Sequence, residues 1–224
     1  MNASNSTRSH LVVAVDGPSG SGKSSISKKS AEKMGLSFLD TGAMYRALTW
    51  FCLKNKLNDE DQIQPKLIKD FFDLWISIEP TVEKVLVNDE DITGPIRENL
   101  VTTNVSKYAA MSKVREFLVN KQRELVELSG SRIVVEGRDI GSVVLPNADF
   151  KIYITASDEA RAKRRAVQTN ADEKLVLEAQ KIRDSLDTNR SVSPLVIPKN
   201  AVVLDNSNLD FDQSVDRFIQ IASA

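Results

Sequence analysis

Apolar positions along this chain follow two periods that alternate. Leu11-Val12-Val13-Ala14-Val15, Arg132-Ile133-Val134-Val135-Glu136, Phe150-Lys151-Ile152-Tyr153-Ile154 and Ala201-Val202-Val203-Leu204-Asp205 are short runs that read as core strands. Leu36-Ser37-Phe38-Leu39 is a shorter run of the same kind. Between the strands the period changes to that of a helix. Ser24 to Met34 is closed by Gly35, and the next helix runs to about Lys56 with Met44, Ala47, Leu48 and Phe51 on one face. Lys113 to Leu128, Asp172 to Leu186 and Asp212 to Ala222 follow the same period. Strands that alternate with helices predict βαβ units, hence a parallel sheet with helices on both faces.

The middle of the chain departs from that rhythm. Asn58 to Asp61 reads as an acidic helix start and Pro65 to Leu74 as a short amphipathic helix. Trp75-Ile76-Ser77-Ile78-Glu79 and Lys84-Val85-Leu86-Val87-Asn88 read as two strands joined by a turn at Pro80-Thr81-Val82-Glu83. Asp89-Glu90-Asp91 then turns the chain towards Ile92-Thr93-Gly94, and a helix from about Ile96 to Ala110 follows. This is a small antiparallel β insert, too small for a core of its own.

One stretch carries chemistry by itself. Gly17-Pro18-Ser19-Gly20-Ser21-Gly22-Lys23-Ser24 matches G-x-x-x-x-G-K-[ST] at every fixed position, between a strand and a helix. Its glycines let backbone N–H groups approach phosphate oxygens, and the helix N-terminus behind them adds partial positive charge. Lys23 supplies a cation for the β- and γ-phosphates, and Ser24 a hydroxyl ligand for Mg²⁺ carried on them. The chain is therefore expected to bind a nucleoside triphosphate through Gly17, Pro18, Ser19, Gly20, Ser21, Gly22, Lys23, Ser24 and Ser25.

Composition narrows what it does with it. In 224 residues, 30 Lys+Arg face 31 Asp+Glu, a net charge of -1 that argues against a dedicated nucleic-acid binder. The one Cys, Cys52, excludes a disulfide framework and suggests a reducing compartment. With His10 the one histidine, neither a Cys–His catalytic pair nor a zinc cluster is expected. No apolar run approaches membrane-spanning length, and the polar first nine residues do not read as a secretory signal. A cytoplasmic protein is expected.

Further polar residues gather where strands end, the place where open α/β sheets bind ligands. Asp40-Thr41-Gly42-Ala43-Met44-Tyr45-Arg46 follows the second strand, and Glu136-Gly137-Arg138-Asp139-Ile140-Gly141 ends another. An acidic residue at the end of a core strand beside a P-loop resembles a Walker-B carboxylate. Arg161-Ala162-Lys163-Arg164-Arg165 allows two readings: a solvated helix face, or a closing lid whose arginines offset phosphoryl charge.

In this order and spacing, these motifs together with Arg183-Asp184-Ser185-Leu186-Asp187-Thr188-Asn189-Arg190 resemble the bacterial-type cytidylate kinases, P-loop nucleoside monophosphate kinases. The resemblance runs from Val12 to the last strand, and the antiparallel insert resembles that family's enlarged monophosphate-binding subdomain. It implies transfer of the γ-phosphoryl group of ATP, with Mg²⁺, to CMP or dCMP. Carried over by position, Arg46 and Arg138 would hold the acceptor phosphate, as suits the bidentate guanidinium fork. Ser106, Arg183 and Asp187 would contact the sugar. Thr41, Arg115, Arg190 and Asp139 would meet the cytosine, with Tyr45 beside them. Lys23, Arg138 and the lid residues Arg161, Arg164 and Arg165 would act on the transferring group. Thr41 stands where some members carry Ser, and Leu186 where some carry a charge.

The organisation expected from this is a disordered tail over residues 1–9 and one kinase domain over 10–224. The domain would carry a monophosphate-binding insert at about 60–112 and a helical lid at about 157–190, and would act as a monomer without nucleic-acid or membrane partners. Two other readings stay open. Another small-molecule P-loop kinase, for shikimate or a different nucleoside monophosphate, would share the architecture. A GTPase switch would need Asn-Lys-x-Asp, and the nearest match, Asn55-Lys56-Leu57-Asn58, lacks the final Asp.

Overall fold

The structure is a computed structural model and describes residues 9–68 and 71–224. Most of the N-terminal tail therefore lies outside the described residues.

Five strands make one all-parallel sheet: β1 (Leu11–Asp16), β2 (Ser37–Asp40), β6 (Arg132–Glu136), β7 (Phe150–Thr155) and β8 (Val202–Asp205), in the order β2-β6-β1-β7-β8. β1 is central and wholly buried, as a continuous apolar run in a doubly covered sheet requires. Parallel pairing puts every strand's C-terminal tip on the same edge. There Asp40 registers opposite Glu136 across β2–β6, and Val15 opposite the same Glu136 across β1–β6.

Helices cover both faces. On one side α1 (Lys23–Met34) and α8 (Phe211–Ala222) pack on Val13, Val15, Ile152 and Leu204. On the other, α2 (Thr41–Lys54), α3 (Glu60–Ile68), α4 (Asn99–Ala109) and α5 (Ser112–Leu128) share a larger core with the insert. Two more helices, α6 (Asp158–Thr169) and α7 (Glu173–Asn189), form a hairpin between β7 and β8.

The insert is a three-stranded antiparallel sheet of β3 (Leu74–Ile76), β4 (Val85–Val87) and β5 (Glu90–Asp91). It differs from expectation in three places. The helix expected over Pro65–Leu74 is α3 instead, which starts at Glu60 and carries Pro65 inside it. The Asp59 carboxylate accepts from Gln62 N and starts the helix, so Pro65 is not its opening residue. Leu74 belongs to β3. The expected turn at Asp89–Asp91 is a tighter one at Asn88-Asp89, both at positive φ, which returns the chain into β5. The helix expected from Ile96 is split: a 3₁₀ turn at Pro95–Arg97 is separated from α4 by extended Glu98. A π-helical turn at Ile140–Val144, after β6, was also not anticipated.

Candidate active site

The glycine loop joins β1 to α1. Gly17 has φ 152, and a Cβ there would meet the Ile154 carbonyl oxygen at 2.0 Å, so only glycine fits. Gly22 caps α1 from the left-handed region with no side-chain cap, which leaves the first N–H groups of the helix free to bind an anion. Lys23 is buried and its ammonium donates to the Pro18 carbonyl at 3.2 Å. Burial, then the nearby Arg138 charge, pulls its pKa down to about 8. Ser24 and Ser25 stand exposed at the start of α1.

Two carboxyls floor the site. Ser24 Oγ donates to Glu136 Oε1 at 2.6 Å, while Glu136 Oε2 is buried without a hydrogen-bond partner. Burial and the adjacent Asp40 charge push the Glu136 carboxyl up to about 7. Asp40 accepts from Ala43 N, capping α2, and pairs with Arg46 at 2.9 Å, and its own pKa is lowered despite burial because Arg46 opposes the desolvation. Asp16, wholly buried, accepts from Ile140 N and Gly141 N and so anchors the turn that carries Arg138 and Asp139.

A cluster of cations faces this floor. Arg138 donates to the Gly17 carbonyl and lies 3.0 Å from Asp187. Arg183 has a buried Nε with no partner, and burial followed by the Arg138 charge lowers its pKa to about 10. Arg46 adds to that lowering. The Arg138 charge thus disfavours the charged form of both Lys23 and Arg183, and Arg183 and Arg46 add to this at Lys23 and Arg183 respectively.

A second polar pocket lies beyond them. Arg115 donates to Asp139, both side chains being 4% exposed, and its guanidinium stands 5.5 Å over the Tyr45 ring. Arg190 Nη2 is buried and lies 3.6 Å from Asp139, an ion pair beyond hydrogen-bond distance. Burial pushes the Tyr45 hydroxyl up to about 12. The Thr41 hydroxyl donates to the Glu136 carbonyl at 2.7 Å. Ser106 is half-buried on α4.

The lid arginines separate into three environments. Arg161 is buried, donates to the Ser19 carbonyl, and is paired with Asp158 and Asp184 at 2.6 Å each. Arg164 donates to the side chain and carbonyl of Asn206, whose amide in turn donates to the Ser21 carbonyl. Arg165 is exposed. The helix face is therefore neither uniformly solvated nor uniformly aimed at the loop.

Asp16, Asp40, Asp184 and Asn206 belong to this constellation and were not singled out from the sequence. Asp40 had the one usable signal, an acid at the C-terminal end of a core strand, the position also held by Glu136.

The cytidylate kinase family model matches residues 13–224. A cytidylate kinase of Corynebacterium diphtheriae is 45% identical, covering 94% of each chain, and one of Rhodococcus opacus is 46% identical, covering 96% of each. A solved structure of an uncharacterized protein from Eubacterium ventriosum shares the fold at TM-score 0.55 and 14% identity, over 96% of this chain and 99% of that one. With the family's model spanning the glycine loop, both carboxyl-bearing strand tips and the arginine-rich hairpin, this chain belongs to the cytidylate kinase family.

Proposed function

We propose that the chain transfers the γ-phosphoryl group of ATP to CMP or dCMP, giving ADP and CDP or dCDP. The observation that carries this reading is the group of four cations beside the loop, Lys23, Arg46, Arg138 and Arg183, in which burial and then the Arg138 charge lower the pKa values of Lys23 and Arg183. Such a cluster is stabilised by a polyanion, and the glycine loop beside it has the backbone geometry for phosphate. Lys23 would meet the donor phosphates. Arg46 and Arg138 would hold the acceptor phosphate, with Arg183 and Asp187 at the sugar and Ser106 beyond it.

The base would lie against Tyr45, Thr41, Arg115, Asp139 and Arg190. Arginines only donate, so they suit the N3 and O2 acceptors of cytosine and oppose the N3–H of uracil. Little covalent chemistry is asked of the protein; orientation and charge neutralisation lower the barrier.

Mg²⁺ fits this floor. Glu136 Oε2 is a buried oxygen lacking a partner, and Ser24 Oγ and Asp40 are adjacent to the same carboxyl. Among the described residues no three acidic, His or Cys groups converge to hold a metal alone, so the phosphates would complete its shell. When bound, the ion would neutralise phosphate charge. Among the described residues no helix is long and apolar enough to cross a membrane. We propose action as a monomer in the cytoplasm.

A coupled assay with ATP across CMP, dCMP, UMP, AMP and shikimate tests the reading. CMP and dCMP should dominate in kcat/KM. Equal turnover of UMP would show that the base is read elsewhere, and preference for shikimate would overturn the acceptor class.

A further inference from the structure

The α6–α7 hairpin is closed onto the glycine loop through a single residue. Asp184, on α7, accepts from the Ser19 backbone N–H at 3.0 Å through Oδ1. Its Oδ2 accepts from Arg161 at 2.6 Å, and Arg161 donates to the carbonyl of the same Ser19 at 2.5 Å. Both backbone groups of the loop tip are thereby held by the lid. One turn earlier on α7, buried Gln180 lies so close to Gly20 that a Cβ there would meet its Nε2 at 2.4 Å.

One group in this contact opposes a nucleotide. Arg161 faces two carboxylates, Asp158 and Asp184, and although Asp184 also feels the Arg183 charge, its anionic oxygen sits directly on the tip of a loop that must receive a polyphosphate. In this arrangement both terminal nitrogens of Arg161 are engaged, Nη1 by the Ser19 carbonyl and Asp184 and Nη2 by Asp158, its buried Nε alone has no hydrogen-bond partner, and a carboxylate already occupies a loop N–H. A triphosphate entering the loop meets a negative group on an N–H at the loop tip, and Arg161 can turn towards it only by leaving Asp184.

We propose that Asp184 gates the donor site: it is the resting partner of both Arg161 and Ser19, and the incoming triphosphate displaces it. The inference rests on the reading of the glycine loop as the ATP site. The contact stabilises a nucleotide-free closed lid, so the apparent affinity for ATP is reduced by the fraction of molecules in that state. Removing the carboxylate charge removes that reduction, while Arg161 keeps Asp158 and the Ser19 carbonyl as partners.

The test is calorimetric binding of ATP, without acceptor, to the wild-type full chain, to Asp184→Asn and to Lys23→Ala. Binding by the wild type that weakens in Lys23→Ala establishes the donor site independently of the gate. Given that, Asp184→Asn should bind ATP at least about threefold more tightly than wild type. Equal or weaker binding overturns the gate and makes Asp184 a support of the loaded state instead. Where Asp184→Asn does not fold, Asp184→Ser is titrated with ATP instead: tighter binding than wild type supports displacement of the carboxylate, and equal or weaker binding overturns it.

Discussion

Asp40 and Glu136 stand directly opposite each other at the ends of neighbouring parallel strands, and the two carboxyls have opposite titration behaviour. Arg46 keeps Asp40 ionised, while burial and that same Asp40 charge leave Glu136 inclined to hold its proton. A pair of acids 96 residues apart is thus divided into one carboxyl that gives up its proton more readily and one that holds it longer, with the Ser24 hydroxyl on the latter.

The first prediction concerns pH. Glu136 is raised from 4.5 to about 7 and Asp16 from 3.8 to about 6, both mainly by burial. A raised carboxyl binds its proton more readily folded than unfolded, so its contribution is complete below the unfolded value. It is lost as pH rises through the folded value. The ligand-free protein should therefore lose on the order of a few kcal/mol between about pH 4.5 and 7. Asp40 is lowered, so its contribution is already present above 3.8 and falls away only below that window. Thermal melts across the range check this. A Tm that rises steadily towards neutrality would contradict the assigned burial cost.

Lys23→Met should separate stability from activity. The ammonium is buried beside Arg138 and Arg183, so replacing it removes like-charge repulsion and desolvation cost. Tm should rise in the ligand-free protein, while turnover falls by orders of magnitude and CMP binding persists. A variant that retains turnover within about tenfold of wild type would remove Lys23 from the donor role.

Arg164 and Arg165 should part company. Arg164→Ala strips donors from Asn206, which is itself bonded to the glycine loop, and should cost about 1–3 kcal/mol in urea unfolding. Arg165→Ala should leave stability within about 0.5 kcal/mol, as surface changes do. Any loss in Arg165→Ala should therefore be read in kcat, and a kcat that is unchanged would return this residue to the solvated face.

Asp139→Ala should be among the more damaging single changes. It leaves Arg115 as a buried cation without its carboxylate and strips Arg190 of a nearby counter-charge, a cost of about 3–5 kcal/mol. Asp139→Asn keeps the shape and should cost less. Chemical denaturation ranks the three proteins, and equal stability of Asp139→Ala and wild type would show that the pair carries no net stabilisation.

Much of the framework was legible because parallel strands buried on both faces are near-continuous apolar runs, and because the glycine loop is a contiguous motif. β5 was not legible: Glu90 and Asp91 have low strand propensity, and two residues carry no period. The split before α4 was hidden for a related reason, since Glu98 is a good helix former that adopts an extended conformation. At the site, the strand-tip residues could be found from position along the chain. The environments of Arg161 and Arg164 could not, because Ser19 and Asn206 are 142 and 42 residues away from them.

The insert shares its interior with the sheet. Leu74, Ile76, Val85, Val87 and Ile92 belong to one continuous hydrophobic core with Ala43, Ala47, Leu48 and Phe51 of α2, and Phe38 N donates to the Ile78 carbonyl at 2.8 Å, tying the insert to strand β2. This ancillary sheet is therefore not an appendage that evolution or an engineer could trim to obtain a minimal kinase. Excising it would expose the apolar side of the helix that bears Tyr45 and Arg46, and the shortened chain would forfeit the packing that positions those two side chains together with its solubility.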